Sequence, residues 1–163
     1  MVILALDPSL SSTGYAVIES DTRRLVCKGK INTSTKDSTD DRIQEIIYRL
    51  SFLPEASHIV LEDGFIGANI QSGLKLAELR GALIFHYKYI KKEVVHRQPK
   101  EIRKNFGLSG AAKKEEVAQE VLKYYPFLEQ QIGPYSDKNN KQKTSDIYDA
   151  ISIGLSYILN LEE

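Results

Sequence analysis

The sequence predicts an α/β fold in which three strands come first and helices and strands then alternate. One observation is a set of short apolar runs, bounded by turn formers, that are too short for helices; the other is a set of longer segments with apolar residues at helical spacing. The chain has 163 residues, 42% of them hydrophobic and 27% charged. This ordinary globular composition can bury one sizeable core. We therefore expect a single domain over residues 1–163.

The predicted strands are short and end at recognisable punctuation. The first run, VILALD, ends on Asp7 and is followed at once by Pro8. The second and third segments are separated by a polar stretch that suits a hairpin, and the fourth run, like the first, ends on a carboxylate, Glu62. We predict strands at 2–7, 14–19, 25–31, 58–62 and 93–96.

The predicted helices carry apolar residues at helical spacing. The first has Thr39 or Asp40 as a candidate N-cap, and Ser145 is a candidate cap for the last. The long second helix is apolar around much of its circumference, which indicates deep burial or a dimer interface. Residues 133–144 are polar and without periodicity, so we predict a flexible loop there. We predict helices at 40–53, 71–90, 99–105, 111–124 and from Ser145 onward.

Composition excludes several classes of site and location. Cys27 is the only cysteine, so neither an internal disulfide nor a thiolate zinc site is expected. The three histidines show no metal-ligand spacing, so a bound metal would need carboxylate ligands. No apolar run approaches the roughly 20 residues of a membrane span, and the N-terminus lacks the pattern of a signal peptide. We therefore expect a soluble cytoplasmic protein with no membrane partner.

Basic residues are concentrated in one part of a chain whose formal net charge is zero. Residues 75–114 contain eleven basic and three acidic side chains. Such an asymmetry is typical of a nucleic-acid-binding surface, although solvated helix faces produce the same pattern.

Four carboxylates have the positions expected of a site. Asp7 and Glu62 each end a predicted strand, and Asp146 and Asp149 lie three apart on the first turn of the last helix. If the first and fourth strands are parallel neighbours, their ends meet at one edge of the sheet, where such folds place sites. Taken singly, each acid has an equally good structural interpretation as a turn residue or a favourable charge at a helix N-terminus.

Carboxylates held together favour divalent cations, because uncompensated acids raise one another's pKa. Two hard cations about 4 Å apart can activate a water for in-line attack on a phosphodiester and stabilise the leaving oxygen. The acids therefore indicate phosphodiester hydrolysis.

Three stretches of the chain resemble, in order and spacing, the motifs of RuvC-type Holliday-junction resolvases. They are ALDPSLSSTGYAVIE at 5–19, VLEDGFIGANIQSGLKLAELRGALI at 60–84 and SDIYDAISIGLSY at 145–157. The resemblance spans nearly the whole chain and implies a ribonuclease H-like fold with a mixed five-stranded sheet flanked by helices. Ser9 departs from the glycine that many relatives have after the Asp-Pro pair. The divergent loops would fit a bacteriophage-encoded version.

The resemblance also implies roles for particular residues. The catalytic, metal-binding acids would be the four carboxylates named above, holding two Mg²⁺ or Mn²⁺ ions. Phe65 would contact bases at the junction centre, and Lys100 and Lys114, or a neighbour such as Lys113, would approach the scissile phosphates. The family works as a homodimer that nicks two strands of branched DNA symmetrically, in the cytoplasm of a bacterium or a phage-infected host. The resemblance leaves any branch-migration partner unidentified.

Three other interpretations compete with this one, and length excludes the last of them. The same fold also serves RNA processing, and a module that holds branched DNA without cutting it would show the same basic region. DPSLSSTGY is also similar to the phosphate-binding loop of actin-like ATPases and sugar kinases. Those folds need two such domains, for which 163 residues are too few.

Overall fold

A computed structural model describes residues 1–63, 69–138 and 143–162. The central element of the fold is a five-stranded sheet. Its strand order is β3-β2-β1-β4-β5. The sheet and its flanking helices match the predicted architecture. The strands are β1 (Val2–Asp7), β2 (Ser12–Glu19), β3 (Arg24–Asn32), β4 (His58–Glu62) and β5 (Glu93–Arg97).

The sheet is mixed, as predicted. β1 pairs antiparallel with β2, and β2 pairs antiparallel with β3, whereas β1–β4 and β4–β5 are parallel. Leu6 is aligned with Leu61 in the β1–β4 ladder. Asp7 and Glu62, the next residue of each strand, therefore emerge side by side at one edge of the sheet.

The helices follow the predicted order, with corrections at their ends. α1 ends before Leu53 because the chain turns after Leu50, and its N-cap is Ser38, whose hydroxyl accepts a hydrogen bond from the Asp41 amide. Residues 111 and 112 lie in a turn before α4, and one short helix, α5, was not predicted. The helices are α1 (Thr39–Leu50), α2 (Ile70–Tyr89), α3 (Pro99–Asn105), α4 (Lys114–Tyr124), α5 (Leu128–Ile132) and α6 (Ser145–Leu161).

Each face of the sheet has its own apolar core, because successive side chains of a strand point to opposite faces. In β1, Ile3 and Ala5 pack on the face covered by α6, α4 and α3, while Leu4 and Leu6 pack on the face covered by α1 and α2. α6 lies closest to the sheet at Gly154, where a Cβ would come within 2.9 Å of the Ala5 Cβ. The close approach fixes the position of α6 across the sheet.

The polar segment before α6 is described only at its two ends. The Ser136 carbonyl accepts hydrogen bonds from the amides of Thr144 and Ser145, and the Ser136 amide donates to the Thr144 hydroxyl. The N-cap position of α6 is Thr144 rather than the predicted Ser145, whose buried hydroxyl has no partner in the described residues. Flexibility over 133–144 stays a prediction. None of the described helices has the length and apolar character needed to span a membrane.

Candidate active site

The site lies at the edge of the sheet where β1 and β4 end. Asp7 and Glu62 are the last residues of these parallel neighbours, and both are partly buried. Pro8 directly follows Asp7 and prevents β1 from continuing its ladder. The strand pattern that predicted the two acids therefore brings them together.

A glycine allows the other two acids to approach Asp7. Gly14 of β2 is paired with Asp7 in the antiparallel ladder. A Cβ at Gly14 would lie 1.9 Å from the Asp146 carbonyl oxygen. Only glycine can therefore occupy this position, since any side chain would displace the first turn of α6. The same turn carries Asp149, so all four predicted acids gather at this edge.

Two lysines contact the acids of α6. Lys114, the first residue of α4, makes an ion pair with Asp149. Lys143 lies with its Nζ 2.9 Å from Asp146 Oδ1. The other oxygen of Asp146 is buried and has no hydrogen-bond donor among the described residues. A buried acceptor without a partner is costly, which marks this oxygen as a ligand position.

Burial raises the pKa values of Asp7, Glu62 and Asp149. Burial, followed by repulsion from Asp149, raises the pKa of Asp7 from 3.8 to about 8, although Lys114 acts in the opposite direction. Burial also raises the pKa values of Glu62 and Asp149, again against the Lys114 charge. Burial is the largest single influence on the pKa of Lys114 and lowers it, but the acids Asp149, Asp7 and Glu62 together raise the pKa above its usual value. The acids therefore lie where positive charge is in deficit.

Two clefts meet at Glu62. One is lined by Glu62, Arg103, Lys114 and Asp149 and is narrow, with about 20 Å³ of open volume. The other contains Asp7, Glu62, Leu76 and Arg80 and has a volume of about 140 Å³. Together they expose carboxylates and cations along the same side of the sheet edge. An anionic substrate could contact the cations while its reacting atoms lie near the acids.

Arg80 anchors the end of β4. Its Nη1 donates to the backbone carbonyl of Glu62, and its Nη2 lies 3.4 Å from Asp63 Oδ1. His96 Nδ1 lies 3.3 Å from the same oxygen. Arg80 is therefore a positioning residue for Glu62. Sequence analysis missed it, along with Gly14, Arg103 and Lys143; a glycine inside a strand was the one available signal of a close backbone approach.

The lysines predicted to bind DNA lie at different distances from the acids. Of the three lysines, only Lys114 contacts the acids; Lys100, in the first turn of α3, and Lys113, at the N-cap of α4, are exposed. Phe65 lies outside the described residues, so its role stays a prediction.

The four acids do not form a closed metal cage. Within residues 1–63, 69–138 and 143–162, no group of three or more His, Cys, Asp or Glu side chains is placed to hold a metal ion. Two of the acids are instead paired with lysine ammonium groups. The arrangement brings the predicted ligands into one neighbourhood without converging them on one point.

The mixed sheet, with acids at the ends of two parallel central strands and on the helix packed against them, is that of a nuclease with a ribonuclease H-like fold. The chain belongs to the family described as crossover junction endodeoxyribonuclease RuvC, whose family model matches residues 3–156. It is accordingly a structure-specific endonuclease of the junction-resolving class.

Individual relatives match nearly the whole chain. The RuvC of Neorickettsia sennetsu is 33% identical over 164 residues, which cover 95% of this chain and 91% of that protein. The RuvC of Chlorobium phaeovibrioides is 29% identical, with 98% of this chain and 82% of the relative covered. Thermus thermophilus RuvC, solved in complex with a Holliday junction substrate, superposes with a TM-score of 0.73 at 20% identity, covering 99% of this chain and 95% of that one. The shared fold extends to the fowlpox virus resolvase, with a TM-score of 0.66 and 14% identity over 97% of this chain and 99% of that one.

Proposed function

We propose that this endonuclease resolves four-way DNA junctions as a homodimer, using divalent cations held by Asp7, Glu62, Asp146 and Asp149. The observation that carries the proposal is the gathering of these acids at one sheet edge, beside a cleft that is also lined by the cationic side chains of Arg103 and Lys114. Binding of branched DNA is consistent with the Holliday-junction complexes of structurally similar proteins. Each subunit would nick one strand, giving paired symmetric cuts.

The donor set fits hard divalent cations such as Mg²⁺ or Mn²⁺. All four candidate ligands are carboxylates, and one oxygen of Asp146 is buried without a donor in the described residues. The raised pKa of Asp7 indicates that the cluster lacks compensating positive charge. When bound, such cations would supply an activated water and stabilise the charge that develops on the phosphodiester. We propose two ions per site.

The side chains of the protein would bind and orient the scissile phosphate. Lys114 and Arg103 line the same cleft as Glu62 and Asp149, so their cationic groups lie where a phosphate would enter. Arg80 holds the Glu62 backbone and so limits the directions in which this carboxylate can point. The Lys114 ammonium neutralises Asp149 and must exchange this contact for the phosphate. Lys100 and Lys113 would contact the DNA farther from the cut, and Phe65 the junction centre.

An exposed apolar stripe on α2 supports the homodimer. Ile70, Leu74, Phe85 and Tyr89 are 65%, 50%, 72% and 74% exposed. Gly81 lies between them in the helix, and a Cβ there would meet nothing within 4 Å. Large residues toward both ends and a small residue near the middle suit the crossing of two identical helices, since the small residue permits close approach. A second copy of α2 would bury this stripe across a two-fold axis.

Cleavage of defined substrates tests the activity. An end-labelled immobile junction, a linear duplex, a replication fork and an RNA–DNA hybrid would each be incubated with Mg²⁺, Mn²⁺ or EDTA. We expect symmetric nicks in the junction, only with metal, that leave 5′-phosphate and 3′-hydroxyl ends. Cutting confined to the hybrid would contradict the proposal and favour RNA processing. Junction binding without nicks would instead indicate a binding module.

Oligomeric state tests the role of α2. Light scattering should give a dimer mass for the wild type and a monomer mass for Leu74→Glu, because a buried unpaired charge opposes association. Lys123→Gln, which removes an exposed lysine from α4, should remain dimeric. A dimer that survives both Leu74→Glu and Phe85→Glu would show that the interface lies elsewhere.

A further inference from the structure

A third cavity lies beside the cleft that contains Asp7, and the mechanism above does not use it. It has a volume of about 370 Å³ and opens between the β1–β2 loop, α1 and the first turns of α2. Leu76 lines both this cavity and the cleft of Asp7 and Glu62, so the two are direct neighbours. Its polar lining consists of two cations and three hydroxyl residues: Arg42, Lys75, Ser9, Ser11 and Ser72.

Arg42 is held in place before any ligand arrives. Its side chain is on α1, the residue is only 8% exposed, and its Nε donates to Thr33 Oγ1 at 2.7 Å. The Thr33 hydroxyl in turn donates to the Leu10 carbonyl. This chain of hydrogen bonds ties the guanidinium to the β1–β2 loop, and its two terminal nitrogens donate no hydrogen bond to any residue that the structure describes. A rigid guanidinium loses little side-chain entropy on binding an oxyanion.

The β1–β2 loop is also ordered by its own hydrogen bonds. The Thr13 hydroxyl donates to the Ser9 carbonyl at 2.7 Å and accepts from the Ser9 amide at 3.3 Å. The Thr33 amide donates to the Ser11 carbonyl. The loop therefore forms a fixed wall that carries the Ser9 and Ser11 residues of the cavity.

The cavity carries uncompensated positive charge. Among the described residues, no carboxylate forms an ion pair with Arg42 or with Lys75, and the cavity lining contains no acid. Arginine and lysine beside serine hydroxyls supply only charged or neutral donors to an anion. The chemistry therefore fits a phosphate group, and the open side of the cavity admits one that belongs to a chain.

We propose that this cavity binds a backbone phosphate of the DNA strand that is cut, next along the strand from the scissile phosphate. The proposal rests on the proposed function, since that function places the scissile phosphate beside Asp7 and Glu62. Phosphate contacts of this kind set the register of a duplex without reading its sequence. Arg42 and Lys75 would thereby position the strand over the acids.

Salt-dependent junction binding tests the two cations, measured in EDTA so that no cutting occurs. Lys75→Gln should weaken binding about tenfold, as expected for the loss of a charge-assisted hydrogen bond. It should also reduce the slope of log K against log salt by about 1 for each phosphate that the variant no longer binds. Arg42→Gln should act in the same direction, with its melting temperature measured to verify folding, and Arg42→Lys should recover part of the affinity. The matched control, Lys123→Gln, removes an exposed lysine from the last turn of α4 and should leave affinity and slope unchanged.

A methylphosphonate scan tests the position of the phosphate. Neutralising the phosphate next to the scissile one should weaken wild-type binding about tenfold and weaken Lys75→Gln less, because only Arg42 then contacts that phosphate. Wild-type affinity and slope in both variants, or a scan in which every position weakens Lys75→Gln as much as the wild type, would overturn the proposal. The wild-type cutting assay is separate: if the protein binds junctions without nicking, the proposed function fails while the scan still decides the cavity.

Discussion

The two ends of the parallel strands β1 and β4 differ in how far their charged side chains are enclosed. At the end where β1 and β4 stop, Asp7 and Glu62 are enclosed together and their pKa values are raised. At the end where β4 begins, a cavity of about 290 Å³ has a mainly apolar lining that includes Leu4 and Ile59. The charged pair at its rim, Lys92 and Glu55, lies 2.5 Å apart with Glu55 86% exposed.

The proposed function accounts for this difference, because the acids that would hold cations lower the stability of the fold when no cation is bound. A surface pair such as Lys92–Glu55 contributes little and costs little. Buried carboxylates that repel one another destabilise the folded state, which persists because apolar packing elsewhere compensates. Substitutions at the acidic end should therefore remove activity and increase stability, whereas substitutions in the apolar core should decrease stability and leave activity unchanged.

The largest expected effect is loss of cutting at the acidic end. Changing any one of Asp7, Glu62, Asp146 or Asp149 to its amide should lower the cleavage rate by about a thousandfold or more, because in the proposed function each acid holds cations that would stabilise the charge of the transition state. Junction binding should remain. Asp21→Asn, an exposed acid at the opposite end of β1, should cut at the wild-type rate. A rate near wild type in any of the four amide variants would show that the acid concerned has been wrongly assigned.

A substitution in the apolar core should lower stability without lowering the cleavage rate. Ile46→Ala removes a fully buried side chain of α1 that packs against the sheet. The free energy of unfolding should fall by about 2–5 kcal/mol, while the cleavage rate at a temperature where the variant is folded should match the wild type. Urea unfolding and single-turnover cleavage measure the two quantities. A loss of cutting in fully folded Ile46→Ala would break the separation between the two regions.

The pH dependence of stability should report the cost of Asp7. Its pKa rises from 3.8 to about 8 on folding, so the folded state binds the proton more tightly than the unfolded state. Stability without metal should therefore fall as pH rises from about 4 to about 8. Asp7→Asn should remove this loss and raise the melting temperature by several degrees at pH 8, with a smaller gain at pH 5. Equal gains at both pH values would show that folding does not raise the pKa of Asp7.

The smallest effect should come from the residue that acts through Glu62. Arg80→Gln removes the bond to the Glu62 carbonyl and should lower the cleavage rate about tenfold, in the range of supporting residues at metal sites. The metal concentration for half-maximal rate should rise as well. Arg24→Gln, which removes only an exposed pair with Glu19, is the matched control. An unchanged metal requirement in Arg80→Gln would mean that Arg80 stabilises the fold without positioning Glu62.

Sequence predicted the parts of this structure that depend on local patterns. The five strands were placed within two residues of their observed ends because each is a short apolar run next to turn formers. The five-residue α5 is too short to show periodicity, and α4 was predicted to begin three residues early because Ala111 and Ala112 are good helix formers in a turn. The gathering of Asp7 and Glu62 followed from a parallel pairing that the structure confirms.

The rest of the site depends on contacts between distant segments. The approach of α6 to Gly14 and the bond from Arg80 to Glu62 arise from packing that no local pattern encodes. The buried Arg42 was missed for the same reason, since its place on an amphipathic helix gives no sign that its guanidinium faces a cavity.

The central claim is that the acidic end is a cation site whose ligands destabilise the protein until metal binds. The direct test is the melting temperature at pH 8 in EDTA and in millimolar Mn²⁺ for wild type, Asp7→Asn and Asp21→Asn. Metal bound only by the folded state should raise the wild-type melting temperature by several degrees and raise Asp21→Asn equally. In Asp7→Asn most of this rise should be absent. A wild type that Mn²⁺ does not stabilise, or an equal rise in all three proteins, would contradict the account.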